Sequence, residues 1–198
     1  MGNEVSKIIS RIAELEAELE RELEAKLQEK RRELKYSLDK GRVAFEREAC
    51  ALHARLRQGL LSYLRESSLP GLLVSPLVYA LAVPLILLDA SVSLFQAVCF
   101  PVYGIAKVER SRYILLDRGH LGYLNLIERF NCNYCGYANG VLAFLREVAS
   151  RTEQYFCPIK HAFRSAGTHS RYHDFADFGD AEGYRQLLAR LSERRRKA

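Results

Sequence analysis

Apolar residues in the first third of the chain recur at steps of three, four and seven positions, which predicts one long helix. Between Glu4 and about Leu64 there is no proline and there are two glycines, Gly41 and Gly59, and most residues are strong helix formers. The narrow apolar stripe is typical of a coiled-coil seam rather than of a packed globular helix. It comprises Ile8, Ile12, Leu15, Leu19, Leu23, Leu27, Leu34, Leu38, Phe45, Ala49, Leu52 and Leu56. The pattern predicts a coiled-coil helix over residues 1–68, with Gly41 as its weak point.

Charged residues on this helix are sorted into blocks. Six glutamates alternate along residues 14–24, and a basic run follows over residues 26–32. Blocks of opposite sign favour antiparallel or staggered pairing between chains, so the sequence predicts a homo-oligomer formed through residues 4–64. The alternative is a single solvated helix that lies over the C-terminal domain of its own chain.

An almost uncharged block follows, residues 69–106, in which Asp89 is the one charged residue. Its two apolar stretches, residues 69–88 and 90–106, are each close to the roughly 20 residues that cross a hydrocarbon core as a helix. Together they predict a membrane hairpin that turns near Asp89, either as two short spans or as a re-entrant wedge. Asp89 then lies at the tip of the hairpin or is a buried ionisable group, which in a membrane indicates function.

Basic residues flank this block on both sides, with Arg55, Arg57 and Arg65 before it and Lys107 and Arg110 after it. Positive charge stays on the cytoplasmic side of a membrane, so both termini are expected to be cytoplasmic.

The overall composition hides this arrangement. The 198 residues are 48% hydrophobic and 27% charged with a net charge of +6, which resembles an ordinary soluble protein and excludes a disulfide-dense scaffold. All of the net charge lies on residues 107–198, beside the membrane block. A lipid surface is the nearest acidic partner. Although aromatic residues are interleaved with the basic ones, core filling and membrane anchoring explain them more simply, so a nucleic-acid partner is not favoured.

The third block carries the candidate chemistry, in a Cys-x-x-Cys motif formed by Cys132 and Cys135. Such a turn directs two thiolates to one centre, and Gly136 permits the tight turn of a metal knuckle. A second pair, Cys157 and His161, follows with Cys-x3-His spacing.

Between the two pairs, residues 141–156 predict an amphipathic helix that is capped by Asn139 and returns the chain towards the knuckle. A closed set of three thiolates and one imidazole suits Zn²⁺, so the sequence predicts a Cys3His zinc site on Cys132, Cys135, Cys157 and His161.

Two alternatives remain for this site. The same ligands suit iron or an iron–sulfur cluster. His169 and His173, four residues apart, are an alternative to Cys157 and His161 and would complete a Cys2His2 site.

A catalytic role is the weaker interpretation of this block. Glu147 and Glu153 are the candidate bases beside a metal-bound water, but a Cys3His shell leaves no open coordination position. A simpler expectation is that Glu147 and Arg151 form an i,i+4 ion pair on the helix surface.

The strings Asn131-Cys-x-Tyr-Cys-x-Tyr-Ala-Asn-Gly140 and Arg151-Thr-Glu-Gln-Tyr-x-Cys-Pro-Ile-Lys-His161 resemble a family of bacterial membrane-associated proteins to which no activity is assigned. The similarity covers about residues 107–180. It implies a bacterial origin, and it implies that the cysteines and histidine of these strings belong to one motif.

These patterns predict a mainly α-helical protein of the bacterial cytoplasmic membrane. Its segments are a coiled-coil helix (1–68), a membrane hairpin (69–106) and a small helical metal-binding domain on the cytoplasmic side (107–198). The predicted function is that of a self-associating scaffold or adaptor organised by zinc. The alternative is an electron-transfer or redox-sensing protein that holds iron on the same ligands.

Overall fold

The computed structural model describes residues 2–39 and 42–197 and confirms the predicted mainly α-helical class. One short antiparallel hairpin interrupts the helices in this part of the chain. The elements in chain order are α1 (Gly2–Glu33), β1 (Tyr36–Asp39), β2 (Arg42–Phe45), α2 (Arg47–Leu56), α3 (Leu60–Glu66), α4 (Leu69–Ala80), α5 (Ala82–Tyr103), α6 (Leu126–Phe156) and α7 (Ala181–Lys197).

The predicted single helix over residues 4–64 is wrong, because α1 ends at Glu33. Lys35 adopts a left-handed backbone with φ of 52°, which a helix cannot continue. The strands then pair Tyr36 with Phe45 and Leu38 with Val43. Gly41, the predicted weak point, lies outside the described residues.

The apolar block is also continuous where a turn was predicted. Helices α4 and α5 are separated by Leu81 alone and together form a helix of 35 residues, Leu69–Tyr103, which we call the apolar helix. Asp89 lies in the middle of α5, so the predicted hairpin turn at this residue is wrong. Gly104, with φ of 65°, ends the helix. Among the described residues, this is the one helix long and apolar enough to cross a membrane, with a mean hydropathy of 2.3 over an 18-residue stretch.

Helices α5 and α6 run side by side in the same direction, so the connection between them must return along their full length. This connection, residues 104–125, is the strap. One core is shared by the three segments, since Phe100 of α5, Val108 of the strap and Phe144 and Val148 of α6 pack together. The predicted 69–106 and 107–198 segments are therefore joined by common packing.

Helix α6 begins earlier than the predicted helix over residues 141–156. Asn125, rather than Asn139, is the N-cap, and its side chain accepts hydrogen bonds from the backbone N–H groups of Ile127 and Glu128, both at 3.0 Å. The Glu128 carboxylate accepts in turn from the Asn125 N–H at 2.8 Å, which completes a capping box. The helix consequently runs through the Cys-x-x-Cys motif without a turn.

The chain after α6 folds back onto the C-terminal half of that helix. Ile159 and Ala176 form a parallel bridge, and the Arg146 guanidinium donates to the carbonyl of Gly167 at 2.7 Å. Phe175 is buried in this segment, where its ring packs against those of His169 and Tyr172.

Candidate functional site

Asp89 is the centre of a polar cluster at the middle of the apolar helix, with only 6% of its surface exposed. The Arg110 guanidinium of the strap donates to both carboxylate oxygens, at 2.9 and 3.2 Å from Nε. The Tyr137 hydroxyl of α6 donates to Oδ2 at 2.9 Å. The Ser93 hydroxyl donates to Oδ1 at 3.4 Å. One carboxylate thus joins α5, the strap and α6. We call the assembly of the apolar helix, the strap and α6 the rod.

A second polar anchor lies two helical turns further along α5. The Gln96 carboxamide accepts from the Val108 N–H at 3.0 Å and donates to the Val108 carbonyl at 3.3 Å. The Gln96 side chain thus satisfies both backbone hydrogen-bonding groups of Val108, as the backbone of a neighbouring β-strand would do. Asp89 and Gln96 are seven residues apart, so both face the strap.

The chemistry of this cluster is that of a structural lock. A carboxylate is an acceptor only, and the acceptor sites of Asp89 are occupied by donors from three other side chains. The arrangement holds the strap against the helix pair and leaves little capacity for proton transfer. The buried-acid alternative for Asp89 is therefore the one that the structure bears out, in place of the hairpin tip.

Substituting Asp89 with alanine should release the strap. Loss of charge-assisted hydrogen bonds worth about 1.5 kcal/mol or more raises the population of the open strap by roughly tenfold. Trypsin cuts after arginine, so the measurement is the rate of cleavage after Arg110 and Arg112 in detergent-solubilised protein. Ser91→Ala, on the exposed side of α5, is the control. Equal cleavage rates in Asp89→Ala and the control would show that Asp89 does not hold the strap against the helices.

The Asn131–Gly140 string, predicted to form a metal knuckle, instead packs α6 against its neighbours. The Tyr79 hydroxyl of the apolar helix donates to the Asn131 side chain, and the Tyr134 hydroxyl donates to the Val78 carbonyl at 2.7 Å. Tyr137 donates to Asp89, as described above. Positions 131, 134 and 137 of the string therefore face the apolar helix.

The two glycines of the string face the strap. A Cβ atom on Gly140 would lie 2.6 Å from the Tyr113 carbonyl oxygen and 2.9 Å from the Ile114 Cα. A Cβ on Gly136 would lie 3.2 Å from the Leu115 carbonyl oxygen. Gly136 is helical and permits close approach of the strap, so its predicted role in a knuckle turn is wrong.

The structure does not bring the four predicted metal ligands together. Cys132 and Cys135 lie on α6, whereas Cys157 caps its C-terminus. At about 1.5 Å per residue, Cys135 and Cys157 are roughly 33 Å apart along the helix. His161 lies beyond Cys157, where its ring stacks on Tyr172. The described residues contain no group of three or more His, Cys, Asp or Glu side chains arranged to hold a metal. In this arrangement the four predicted ligands cannot bind one metal ion together.

The alternative histidines lie at the same distant end of α6. His169 Nε2 is 2.9 Å from a carboxylate oxygen of Glu153, and its ring packs against Phe175. His173 is exposed. Neither histidine approaches the cysteine pair of the helix.

Glu147, one of the two candidate bases, is the acceptor in a second polar cluster. Its Oε1 lies 2.8 Å from both Arg151 and Arg171, which confirms the predicted pair with Arg151 and adds a partner 24 residues away. The Arg171 guanidinium also donates to the buried Ser150 hydroxyl at 2.8 Å. Burial alone would raise the pKa of Glu147, but the bonds from Arg171 and Arg151 outweigh it and hold the pKa below its ordinary value. The group is thus ionised and fully engaged.

Arg151 also ties the strap to this cluster, because its Nη1 donates to the Ala106 carbonyl at 2.6 Å. Sequence reasoning missed these anchors because their partners are tens of residues apart. Two signals were available in the sequence. Asp89 is the one acid of an apolar block and so needs a partner, and the Asn-x-x-Glu pattern of Asn125 and Glu128 marks the start of α6.

Comparison of the chain with family models, curated proteins and solved structures gave no match. The resemblance of residues 131–161 to bacterial membrane-associated proteins therefore stays a prediction.

Proposed function

We propose that the protein is a membrane-associated, self-associating scaffold. The apolar helix lies in lipid, α1 pairs with the same helix of a second chain, and the segment after α6 is presented at the membrane surface. Zinc and iron have no part in the proposal, since α6 separates the predicted ligands.

Membrane association is supported by the apolar helix, which buries polar side chains and exposes apolar ones. Most of its polar residues face inward, where Asp89 and Gln96 are buried and Ser75, Tyr79 and Ser93 are half-buried, whereas Ser91 is exposed. Its outer face is apolar, formed by Leu69, Leu73, Leu77, Leu87, Leu94, Val98 and Val102, each more than half exposed. A helix in water has the opposite arrangement, and apolar patches of this length mark a membrane or protein partner.

Lipid is the better match for this face because its residues are almost all aliphatic and no residue of the most apolar 18-residue stretch of the helix is fully buried by the described chain. Flotation of the full chain with vesicles in a density gradient tests this part of the proposal. Protein that stays at the bottom of the gradient in the presence of vesicles would contradict it.

Self-association is supported by α1. Its apolar stripe, from Ile8 to Leu27, is between 40% and 65% exposed, and α1 contacts the rest of the described chain mainly through β1. An antiparallel pair staggered about Leu23 sets Glu14, Glu16 and Glu20 against Arg32, Lys30 and Lys26, so that unlike charges face each other. The two helices then overlap over residues 13–33, so this pairing buries the part of the stripe from Leu15 to Leu27 and satisfies the charge blocks together.

The double substitution Leu19→Glu/Leu23→Glu is expected to give a monomer, because it would place four carboxylates in the apolar seam of an antiparallel pair, with the two at position 23 directly opposite each other. Light scattering after size-exclusion chromatography in detergent measures the protein mass.

The matched control is Ala17→Glu/Ala25→Glu, which adds the same charge to the opposite face of α1 and should leave the oligomer intact. An unchanged mass for Leu19→Glu/Leu23→Glu, with helix content preserved by circular dichroism, would rule out pairing through α1.

A further inference from the structure

The strap places charge beside the apolar helix at the middle of its length. Arg110 binds Asp89, which is 14 residues from Tyr103 and 20 residues from Leu69. At about 1.5 Å per residue, these spacings put Arg110 roughly 21 Å from one end of the helix and 30 Å from the other. Beyond Arg110 the strap continues alongside α6, where Gly119 approaches Asn133, and reaches the start of α6 at Asn125.

The charged residues of the strap are exposed. Arg110 keeps 46% of its side chain accessible even though it binds Asp89. The full set, all exposed, is Lys107, Glu109, Arg110, Arg112, Asp117 and Arg118.

This arrangement conflicts with a simple membrane crossing. The hydrocarbon core is about 30 Å thick, so an apolar helix along the membrane normal would place the middle of the strap inside it. Exposed charges are costly at that depth. The irregular backbone of the strap would also face lipid without the internal hydrogen bonds that a helix or a closed barrel provides.

An orientation parallel to the membrane meets both requirements. The outer face of the apolar helix then lies in the acyl region along its whole length, and the strap on the opposite side lies among headgroups and water. The exposed strap carries four basic and two acidic residues, which favours anionic headgroups.

We infer that the protein is monotopic, with the apolar helix lying along one leaflet and the strap facing the cytoplasm. This inference rests on the proposed membrane association and specifies its geometry. It also accounts for the expected cytoplasmic position of both termini. In a crossing orientation, α1–α3 at one end of the rod and the segment after α6 at the other would lie on opposite sides, because Tyr103 packs beside Phe156.

Depth measurement by tryptophan quenching separates the two orientations, since the sequence contains no tryptophan. Single substitutions Leu73→Trp, Leu87→Trp and Val98→Trp lie on the outer face, where Leu87 is about 21 Å from Leu73 and about 16 Å from Val98 along the axis. The full-length variants are bound to vesicles of phosphatidylcholine and phosphatidylglycerol that contain lipids brominated at different acyl positions.

Similar shallow depths for the three tryptophans are the expected result. A profile in which Leu87→Trp is deepest, with the other two nearer the surface, would show a crossing helix and overturn the inference while membrane association stands. Protein that does not float with the vesicles would instead remove the proposed function itself.

Leu116→Trp, at an exposed position of the strap, serves as the matched reporter for the opposite side of the rod. It should be quenched less than the outer-face variants and should show the red-shifted emission of a hydrated indole. Strong quenching of Leu116→Trp by deeply brominated lipid would place the strap in the hydrocarbon core and contradict the monotopic geometry. Circular dichroism of each variant checks that the helices are retained.

Discussion

Gly140→Ala is expected to lower the thermal unfolding midpoint by roughly 4–8 °C, although the same substitution in a free helix would stabilise it by about 1 kcal/mol. The new Cβ would lie 2.6 Å from the Tyr113 carbonyl oxygen, and that atom belongs to the backbone. The strap must move as a unit, against its anchors at Asp89 and Gln96. Overpacking against backbone at this distance lies at the upper end of about 1–3 kcal/mol, so a net loss of about 2 kcal/mol remains after the gain of about 1 kcal/mol in helix propensity. Each kcal/mol shifts the midpoint of a chain of this size by about 2–4 °C.

Gly136→Ala is the internal comparison, one helical turn away on the same face. Its Cβ would lie 3.2 Å from the Leu115 carbonyl oxygen, a distance that a shift of a few tenths of an ångström relieves. Its midpoint should therefore stay close to that of the native protein. If Gly140→Ala and Gly136→Ala raise the midpoint equally in circular dichroism melts, the strap does not lie against α6 as described.

Glu147→Gln should have an effect of similar size, a loss of about 2 kcal/mol at neutral pH. Breaking a fully buried ion pair costs about 3–5 kcal/mol, and Arg151 and Arg171 are each about a quarter exposed, so water compensates part of the loss. Glu29→Gln, which breaks an exposed i,i+3 pair with Lys26, is the control and should change the midpoint little.

Acid should abolish the difference between the native protein and Glu147→Gln. The pKa of Glu147 is lowered in the fold from an ordinary value of 4.5, so its stabilisation is present above about pH 4.5 and is lost as the pH falls through the lowered value. The two melting midpoints should converge over that range. A difference that stays constant from neutral to strongly acidic pH would show that the carboxylate charge is not what stabilises the cluster.

Local patterns in the sequence predicted the helical class, the uncharged block that became the apolar helix and the Glu147–Arg151 pair. Each of these depends on residues within a few positions of one another. The same local patterns predicted a first helix that is too long, since α1 ends at Glu33. The strands that follow have only four residues each. The alternation of Tyr36 with Leu38 and of Val43 with Phe45 is therefore too short to be distinguished from the heptad-like spacing of a helix.

The candidate site could not be predicted in this way because its partners are remote in the chain. Asp89 meets Arg110 across 21 residues and Tyr137 across 48. The two glycines after Cys135 indicated a turn, but a helix whose glycines face a close backbone neighbour has the same sequence. Only the path of the strap decides between them.

The parallel course of α5 and α6 also has a consequence for synthesis. Arg110 leaves the ribosome 21 residues after Asp89, which at about 5–20 residues per second is roughly one to four seconds. During that interval the carboxylate is on an apolar segment with neither the strap nor α6 to cover it. In the monotopic arrangement proposed above, anionic Asp89 opposes full insertion of the nascent segment, and the strap and α6 then emerge on the side where translation proceeds.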